Sequence, residues 1–154
     1  MNGRLRAKQF AIIGSQVNAP ITHALARGAA ATLRRAGIPS SHVRRLWAPG
    51  AFELPVIATR LAEGPHAPDA IIAIGALIRG QTSQHEVIAH AVAEGLAQVS
   101  VKTGVPVTFG VIVADTVAQA RARAGGARGN RGSEAALAAL ATLKLLDDVA
   151  ASDA

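Results

Sequence analysis

The chain has 154 residues and a mass of 15.7 kDa, a size that predicts one domain, residues 1–154, with a single sizeable core. Half of its residues are hydrophobic and 17% are charged, which excludes a disordered chain, while Arg, Gly and Pro interrupt the apolar runs and exclude a membrane span. There is no Cys, so a disulfide, a thiolate nucleophile and a cysteine metal site are excluded. The first residues lack the apolar core of a signal peptide, and we expect a cytoplasmic protein.

The charge balance favours an anionic partner. Sixteen Lys and Arg against ten Asp and Glu give a formal charge of +6 and a pI near 11.3. Nucleic acid and phosphate esters both fit this charge. Because only 3% of the residues are aromatic, with no Tyr and no zinc-finger or ribonucleoprotein pattern, nucleic-acid binding is disfavoured. A small phosphorylated ligand is the better expectation.

Strand-like and helix-like segments alternate along the first half of the chain. Residues 9–14 form a short apolar run that predicts a buried strand, and residues 18–35 open with Asn and then Pro, which are typical of a helix start. Residues 43–47 predict a strand and residues 54–63 a helix. The most apolar run, residues 70–78, predicts a third strand.

The same alternation continues to the end of the chain. Helices are predicted over residues 83–102, 116–124 and 133–149, and a fourth strand over residues 105–113. The strands are apolar without a polar alternate face, which predicts an α/β fold with a four-stranded parallel sheet covered by helices on both sides. Ligands of such sheets bind at the carboxyl ends of the strands. The first strand-to-helix loop carries neither GxGxxG nor GxxxxGK, so a conventional dinucleotide or triphosphate site is disfavoured.

The glycine- and arginine-rich segment 121–132 directly precedes the last predicted helix. Glycines let a backbone approach a ligand, arginines bind phosphate oxygens in pairs, and a helix start presents free N–H groups to an anion. These features predict a phosphate-binding segment. An exposed basic loop that only raises solubility is an equally weighted alternative.

Two further segments follow strand ends. In RGQTSQHE, residues 79–86, a Gly, a Thr and a helix start make a second anion site, and His85 is able to transfer protons near neutral pH. A surface or capping role for His85 is the alternative, and we expect that His85 and Glu86, as sequence neighbours, cannot face each other. In WAPGAFELP, Phe52 is either a hydrophobic plug or part of a site where Glu53 binds a polyhydroxyl ligand. The remaining histidines are scattered, and we predict no metal site.

Four motifs in this order, PGAFELP, IGALIRGQT, PVTFGV and QARARAGGARGNRGSEAA, resemble those of the 6,7-dimethyl-8-ribityllumazine synthase family, over about Phe10 to Asp147. The resemblance implies a flavodoxin-like three-layer sandwich. It also implies the penultimate step of riboflavin biosynthesis, in which 5-amino-6-(D-ribitylamino)uracil condenses with 3,4-dihydroxy-2-butanone 4-phosphate and phosphate is released. This chemistry requires no metal and no organic cofactor.

The resemblance implies which residues contact the pyrimidine substrate. The residues that match the family's ribityl-binding stretch are Ala51, Phe52 and Glu53. Those that match the backbone that binds the pyrimidine ring are Ala76, Leu77 and Ile78. Val17 stands where the family has an aromatic that stacks on the ring, and a valine cannot stack. Base stacking on an aromatic side chain contributes about 1–3 kcal/mol, so we expect roughly 5- to 150-fold weaker binding unless another group replaces it.

The phosphate of the second substrate would be held by Gln81, Thr82 and Arg123, and Arg131 stands where a lysine is common. That exchange keeps the charge and adds a planar fork. Phe109 matches an aromatic that reaches the ligand from an adjacent subunit, which implies that the sites lie between chains.

Two adjacent residues are candidates for the proton-transfer role. A gap-free match puts Gln84 at the position of the family histidine and His85 at that of the following aromatic. Adjacent helical residues point about 100° apart, so only one of them faces the reacting centre. We take His85 as the catalytic residue, since a glutamine is no general base at neutral pH.

The sequence leaves two alternatives to the synthase activity and also indicates an oligomeric state. A weakened relative that serves as a ligand-binding or shell-forming scaffold is the main alternative, and nucleic-acid association through the arginines is a weaker one. Family members form homopentamers, some of which assemble into sixty-subunit shells, and the short connection in AGGARGNRG favours a shell here. We expect residues 1–8 to be flexible or to contact a neighbouring chain.

Overall fold

The computed structural model describes residues 3–154. The strands are Phe10–Ser15 (β1), Val43–Ala48 (β2), Ala70–Ile78 (β3), Val107–Ala114 (β4), Ala124–Gly126 (β5) and Gly129–Asn130 (β6). The helices are Gly3–Arg6 (α1), Ala19–Arg35 (α2), Leu54–Ala62 (α3), Gln84–Thr103 (α4), Val117–Ala122 (α5) and Arg131–Ser152 (α6). Short 3-10 turns precede β2 at Ser40–His42 and α3 at Ala51–Glu53.

The central sheet has four parallel strands in the order β2-β1-β3-β4. Every residue of β1 is buried, as are the first seven of β3, because both faces of these inner strands are covered. Residues such as Ile12 and Ile72 pack on one face against α2 and α6, and residues such as Ile13 and Ile71 pack on the other against α3 and α4. The predicted three-layer, flavodoxin-like α/β arrangement is confirmed.

The arginine-rich segment differs from its predicted loop. Between α5 and α6 the chain forms the small antiparallel β5–β6 hairpin, and α6 begins at Arg131, two residues earlier than predicted. Asn130 causes the early start, since its side-chain oxygen accepts a hydrogen bond from the Ser133 N–H while its amide donates to the Ala24 carbonyl of α2. The hairpin is therefore fixed against α2.

The N-terminal helix α1 buries Leu5 in the core between α2 and α6. The Lys8 ammonium lies 3.2 Å from a carboxylate oxygen of Asp147 and 3.8 Å from one of Asp69. Met1 and Asn2 lie outside the described residues, and flexibility or a neighbour contact of residues 1–8 stays a prediction. Across residues 3–154, no helix combines the length and apolar character needed to span a membrane.

Candidate active site

Three cavities lie side by side where the strands of the sheet end. Cavity A, about 410 Å³, is bordered by the loop after β1, the end of β3 and the start of α4. Cavity B, about 450 Å³, lies between the start of α4, the end of β4 and the β5–β6 hairpin. Cavity C, about 320 Å³, lies along β4 and is also bordered by Arg123 and Arg131. His85 borders both A and B, and Arg123 borders both B and C.

His85 lies in the first turn of α4 and is buried, with only 5% of its side chain exposed. The surface or capping role considered from the sequence is therefore wrong. Its Nδ1 is buried without a hydrogen-bond partner among the described residues, whereas its Nε2 lies 4.0 Å from Oε1 of Glu86. The expectation that these neighbours cannot face each other is also wrong, because the two side chains come within ion-pair distance. The separation is too long for a hydrogen bond.

The residues predicted to bind the pyrimidine ring border cavity A. Its walls include Val17 and the backbone stretch Ala76, Leu77 and Ile78 at the end of β3. Val17 is 52% exposed, and no Phe, Tyr or Trp borders the cavity in the described part of the chain. Trp47, the only tryptophan, stacks on the His23 ring with centroids 4.1 Å apart and does not replace the missing aromatic.

Asn18 fixes the loop at the mouth of cavity A. Its position before α2 was predicted from its capping ability, but its side chain makes no cap hydrogen bond. It adopts a left-handed conformation, φ 58°, and its side-chain amide donates a 2.9 Å hydrogen bond to the Ala76 carbonyl oxygen. Sequence reasoning missed this role, since the bond joins residues 58 positions apart.

The predicted ribityl-binding residues occupy the 3-10 turn before α3. Ala51 is buried, while Phe52 is 63% exposed, so it plugs nothing within one chain. The Glu53 carboxylate folds back over Gly50, where a Cβ atom would lie 2.9 Å from Glu53 Oε2 and 4.0 Å from Val17 Cγ2. The Glu53 carboxylate and the Val17 side chain thus both lie near Gly50.

The predicted phosphate-binding residues do not border one common cavity. Gln81 and Thr82 border cavity A, whereas Arg123 borders cavities B and C, and His85 stands between the two groups. Arg131 and Phe109 meet in cavity C. Gln84 is exposed and borders A, but only His85 of the two candidate proton-transfer residues also reaches B.

Glu134 links two of the arginines. Its Oε2 lies 3.7 Å from Arg123 and 3.0 Å from Arg131, the latter one helical turn away on α6. The spacing of three residues on α6 brings Arg131 and Glu134 together, whereas the link to Arg123 depends on the hairpin. Arg121 lies apart, in a separate cavity beside Pro20 and Ala24 of α2. Within the described residues, no group of three or more His, Asp or Glu side chains is placed to hold a metal ion.

Comparison with known proteins identifies relatives of this chain. Residues 7–147 match the family model described as 6,7-dimethyl-8-ribityllumazine synthase. The chain belongs to this family. A protein of that name from Halorhodospira halophila is 44% identical over 125 residues, which is 81% of this chain and 80% of the relative. One from Coxiella burnetii is 38% identical over 145 residues, which is 94% of this chain and 95% of the relative. The three cavities, His85 and the arginines all lie within the matched residues.

Proposed function

We propose that this protein condenses 5-amino-6-(D-ribitylamino)uracil with 3,4-dihydroxy-2-butanone 4-phosphate to give 6,7-dimethyl-8-ribityllumazine, phosphate and two molecules of water. The observation that carries the proposal is the position of His85, which is buried at the boundary between cavities A and B. A condensation of two molecules is accelerated when both are held side by side with a proton carrier between them. Family membership supports the same activity.

Cavity A takes the pyrimidine in this proposal. Backbone groups of Ala76, Leu77 and Ile78 bind the ring, while Glu53 and the turn around Ala51 and Phe52 receive the ribityl chain. Aliphatic Val17 contacts the ring without stacking on it. Gln81 and Thr82, on the loop before α4, border cavity A with His85 and contact the butanone phosphate that Arg123 holds from cavity B.

Cavity B takes the phosphate of the butanone substrate. Arg123 reaches it from the end of α5 and offers two parallel N–H donors to phosphate oxygens. The pyrimidine amine attacks the ketone carbon and water leaves, which gives a Schiff base. Loss of a carbon-bound proton and of phosphate, addition of the second nitrogen and loss of a second water then close the ring.

His85 accepts and returns protons at these steps, because its buried ring borders both compartments. General acid–base catalysis of this kind contributes about 10²- to 10⁴-fold to a rate. Arg123 stabilises the departing phosphate by its charge. No metal ion or organic cofactor enters this sequence of steps.

Completion of the site by a neighbouring chain is part of the proposal. Phe52 is 63% exposed and Val17 52% exposed in the single chain, so both are available to a second subunit. Phe109 and Arg131, which meet in cavity C, would contact the ligand of the adjacent chain. We favour homopentamers that assemble into sixty-subunit shells, in the cytoplasm. Light scattering that detects only particles of ten subunits or fewer would refute the shell.

The test is an assay of the full-length protein with both substrates, followed by lumazine absorbance. We expect lumazine to form above the rate of an enzyme-free control, and no excess at high protein concentration would refute the proposal. The absent aromatic at Val17 is the observation that favours a scaffold instead. Calorimetry with the ribityl pyrimidine, lumazine and riboflavin separates the two, because a pure scaffold binds none of them appreciably.

A further inference from the structure

Arg128 is the arginine of cavity B that has no acidic partner. Glu134 lies within ion-pair distance of Arg123 and Arg131, whereas no carboxylate of residues 3–154 lies within 4.0 Å of the Arg128 guanidinium. Arg128 nevertheless borders the same cavity as His85 and Arg123. Its positive charge is therefore available to a ligand there.

The backbone holds Arg128 in this place. Its N–H donates a 2.8 Å hydrogen bond to the carbonyl of Ala122, the last residue of α5. The hairpin turns through Gly125 and Gly129, which have φ values of +100° and +80°, a conformation that residues with a Cβ rarely adopt. A Cβ at Gly126 would lie 2.8 Å from the Arg121 carbonyl, so the hairpin lies tightly against α5. Arg128 is thus carried to the cavity by a fixed turn.

The charges around cavity B leave a phosphate ester short of positive charge without Arg128. Asp115 and Glu86 border the cavity, and Asp115 lies 3.6 Å from Arg79. Arg123 shares its charge with Glu134 at 3.7 Å. A phosphate monoester carries a charge of roughly −1.5 to −2 near neutral pH, more than one partly neutralised arginine offsets. A second guanidinium without a carboxylate supplies the remaining charge and a further pair of donors.

We propose that Arg128 binds the phosphate of the butanone substrate together with Arg123 and so selects a phosphorylated co-substrate. This inference rests on the proposed function for the identity of the ligand. Its physical content, an anion site formed by Arg128 and Arg123 beside His85, is testable without turnover. Arg128 is a binding residue here and takes no part in proton transfer.

The experiment compares Arg128→Gln and Arg128→Lys with Arg121→Gln. Arg121→Gln is the matched control, because it changes the net charge by the same amount. Arg121 lies on α5 and borders the cavity beside α2 instead of cavity B. The first measurement is calorimetric titration of each full-length protein with inorganic phosphate. The second is the KM for each of the two substrates, with circular dichroism to verify folding.

We expect Arg128→Gln to weaken phosphate binding about 10- to 100-fold and to raise the KM for the butanone phosphate similarly, because hydrogen bonds to charged groups are lost. The KM for the pyrimidine stays within about 2-fold, as do all constants of Arg121→Gln. Arg128→Lys keeps part of the affinity, since it retains charge but not the planar fork.

Two results would overturn the inference: equal phosphate affinity in Arg128→Gln and Arg121→Gln, or no phosphate binding by the unmodified protein. Failure of the proposed function gives a different result. In that case the unmodified protein forms no lumazine, yet phosphate still binds and still depends on Arg128. This result would support an anion site at Arg128 and would contradict its assignment to the butanone substrate.

Discussion

The Asn18 side-chain amide donates a hydrogen bond to the Ala76 carbonyl oxygen, 2.9 Å away, and so joins the loop after β1 to the end of β3. Both residues border cavity A. Asn18 also has a positive φ of 58°, which non-glycine residues other than Asn and Asp seldom adopt. One residue thus sets both the course of the loop that carries Val17 and the position of the backbone that we propose binds the pyrimidine ring.

Two substitutions at Asn18 separate these roles. Asn18→Gly keeps the left-handed backbone but removes the amide, so we expect a higher KM for the pyrimidine with little loss of stability. Asn18→Ala removes the amide and strains the backbone, which adds a loss of about 1–2 kcal/mol in the free energy of unfolding. Steady-state kinetics and urea denaturation measure the two effects. Equal pyrimidine KM values in the original chain and Asn18→Gly would show that the bond does not position the site.

The choice between His85 and Gln84 is decided by kinetics. Because His85 is buried between cavities A and B, whereas Gln84 is exposed, we expect His85→Gln to lower kcat about 10²- to 10⁴-fold. Gln84→Ala should lower it far less. Thermal unfolding of both variants controls for damage to α4. A larger kcat loss in Gln84→Ala would show that Gln84, the position indicated by a gap-free family match, contacts the reacting centre and that His85 is not the proton-transfer residue.

The sheet was predictable from the sequence because its inner strands are buried on both faces. Such strands are continuous apolar runs, and residues 70–78 correspond to β3 at both ends. The outer strand β4 was predicted two residues early, since Val105 and Pro106 continue the apolar run but lie before the strand. Burial therefore determined the architecture, while strand ends depended on hydrogen bonding.

The site was less predictable because long-range contacts build it. The β5–β6 hairpin is too short for any hydrophobic periodicity, and its position depends on the bond from Asn130 to the Ala24 carbonyl, 106 residues away. The hydrogen bond between Asn18 and Ala76 and the ion pair between Glu134 and Arg123 likewise join separate elements of the fold. Motif order identified which segments meet, and only the fold located them in separate cavities.

An aromatic introduced at Val17 should strengthen pyrimidine binding. Val17 borders cavity A and is 52% exposed, so a larger side chain fits without displacing the core. Stacking contributes about 1–3 kcal/mol per base, and we expect Val17→Phe to lower the Kd of the ribityl pyrimidine roughly 5-fold or more. Val17→Leu controls for size, because it adds apolar volume without an aromatic face. An equal gain in both variants, or none in Val17→Phe, would contradict stacking.

The close approach of α6 to α2 predicts a large stability effect at Gly132. A Cβ at this position would lie 2.0 Å from the Leu25 carbonyl oxygen, a backbone atom that cannot move without shifting α2. We expect Gly132→Ala to lower the free energy of unfolding by about 1–3 kcal/mol, as overpacking does elsewhere. It should also raise the KM for the butanone phosphate, because displacement of α6 moves Arg131 and the Glu134 carboxylate that holds Arg123. Gly3→Ala is the control, since among residues 3–154 no packed atom lies within 4 Å of a Cβ there. Urea denaturation in which Gly132→Ala is as stable as Gly3→Ala would contradict this packing.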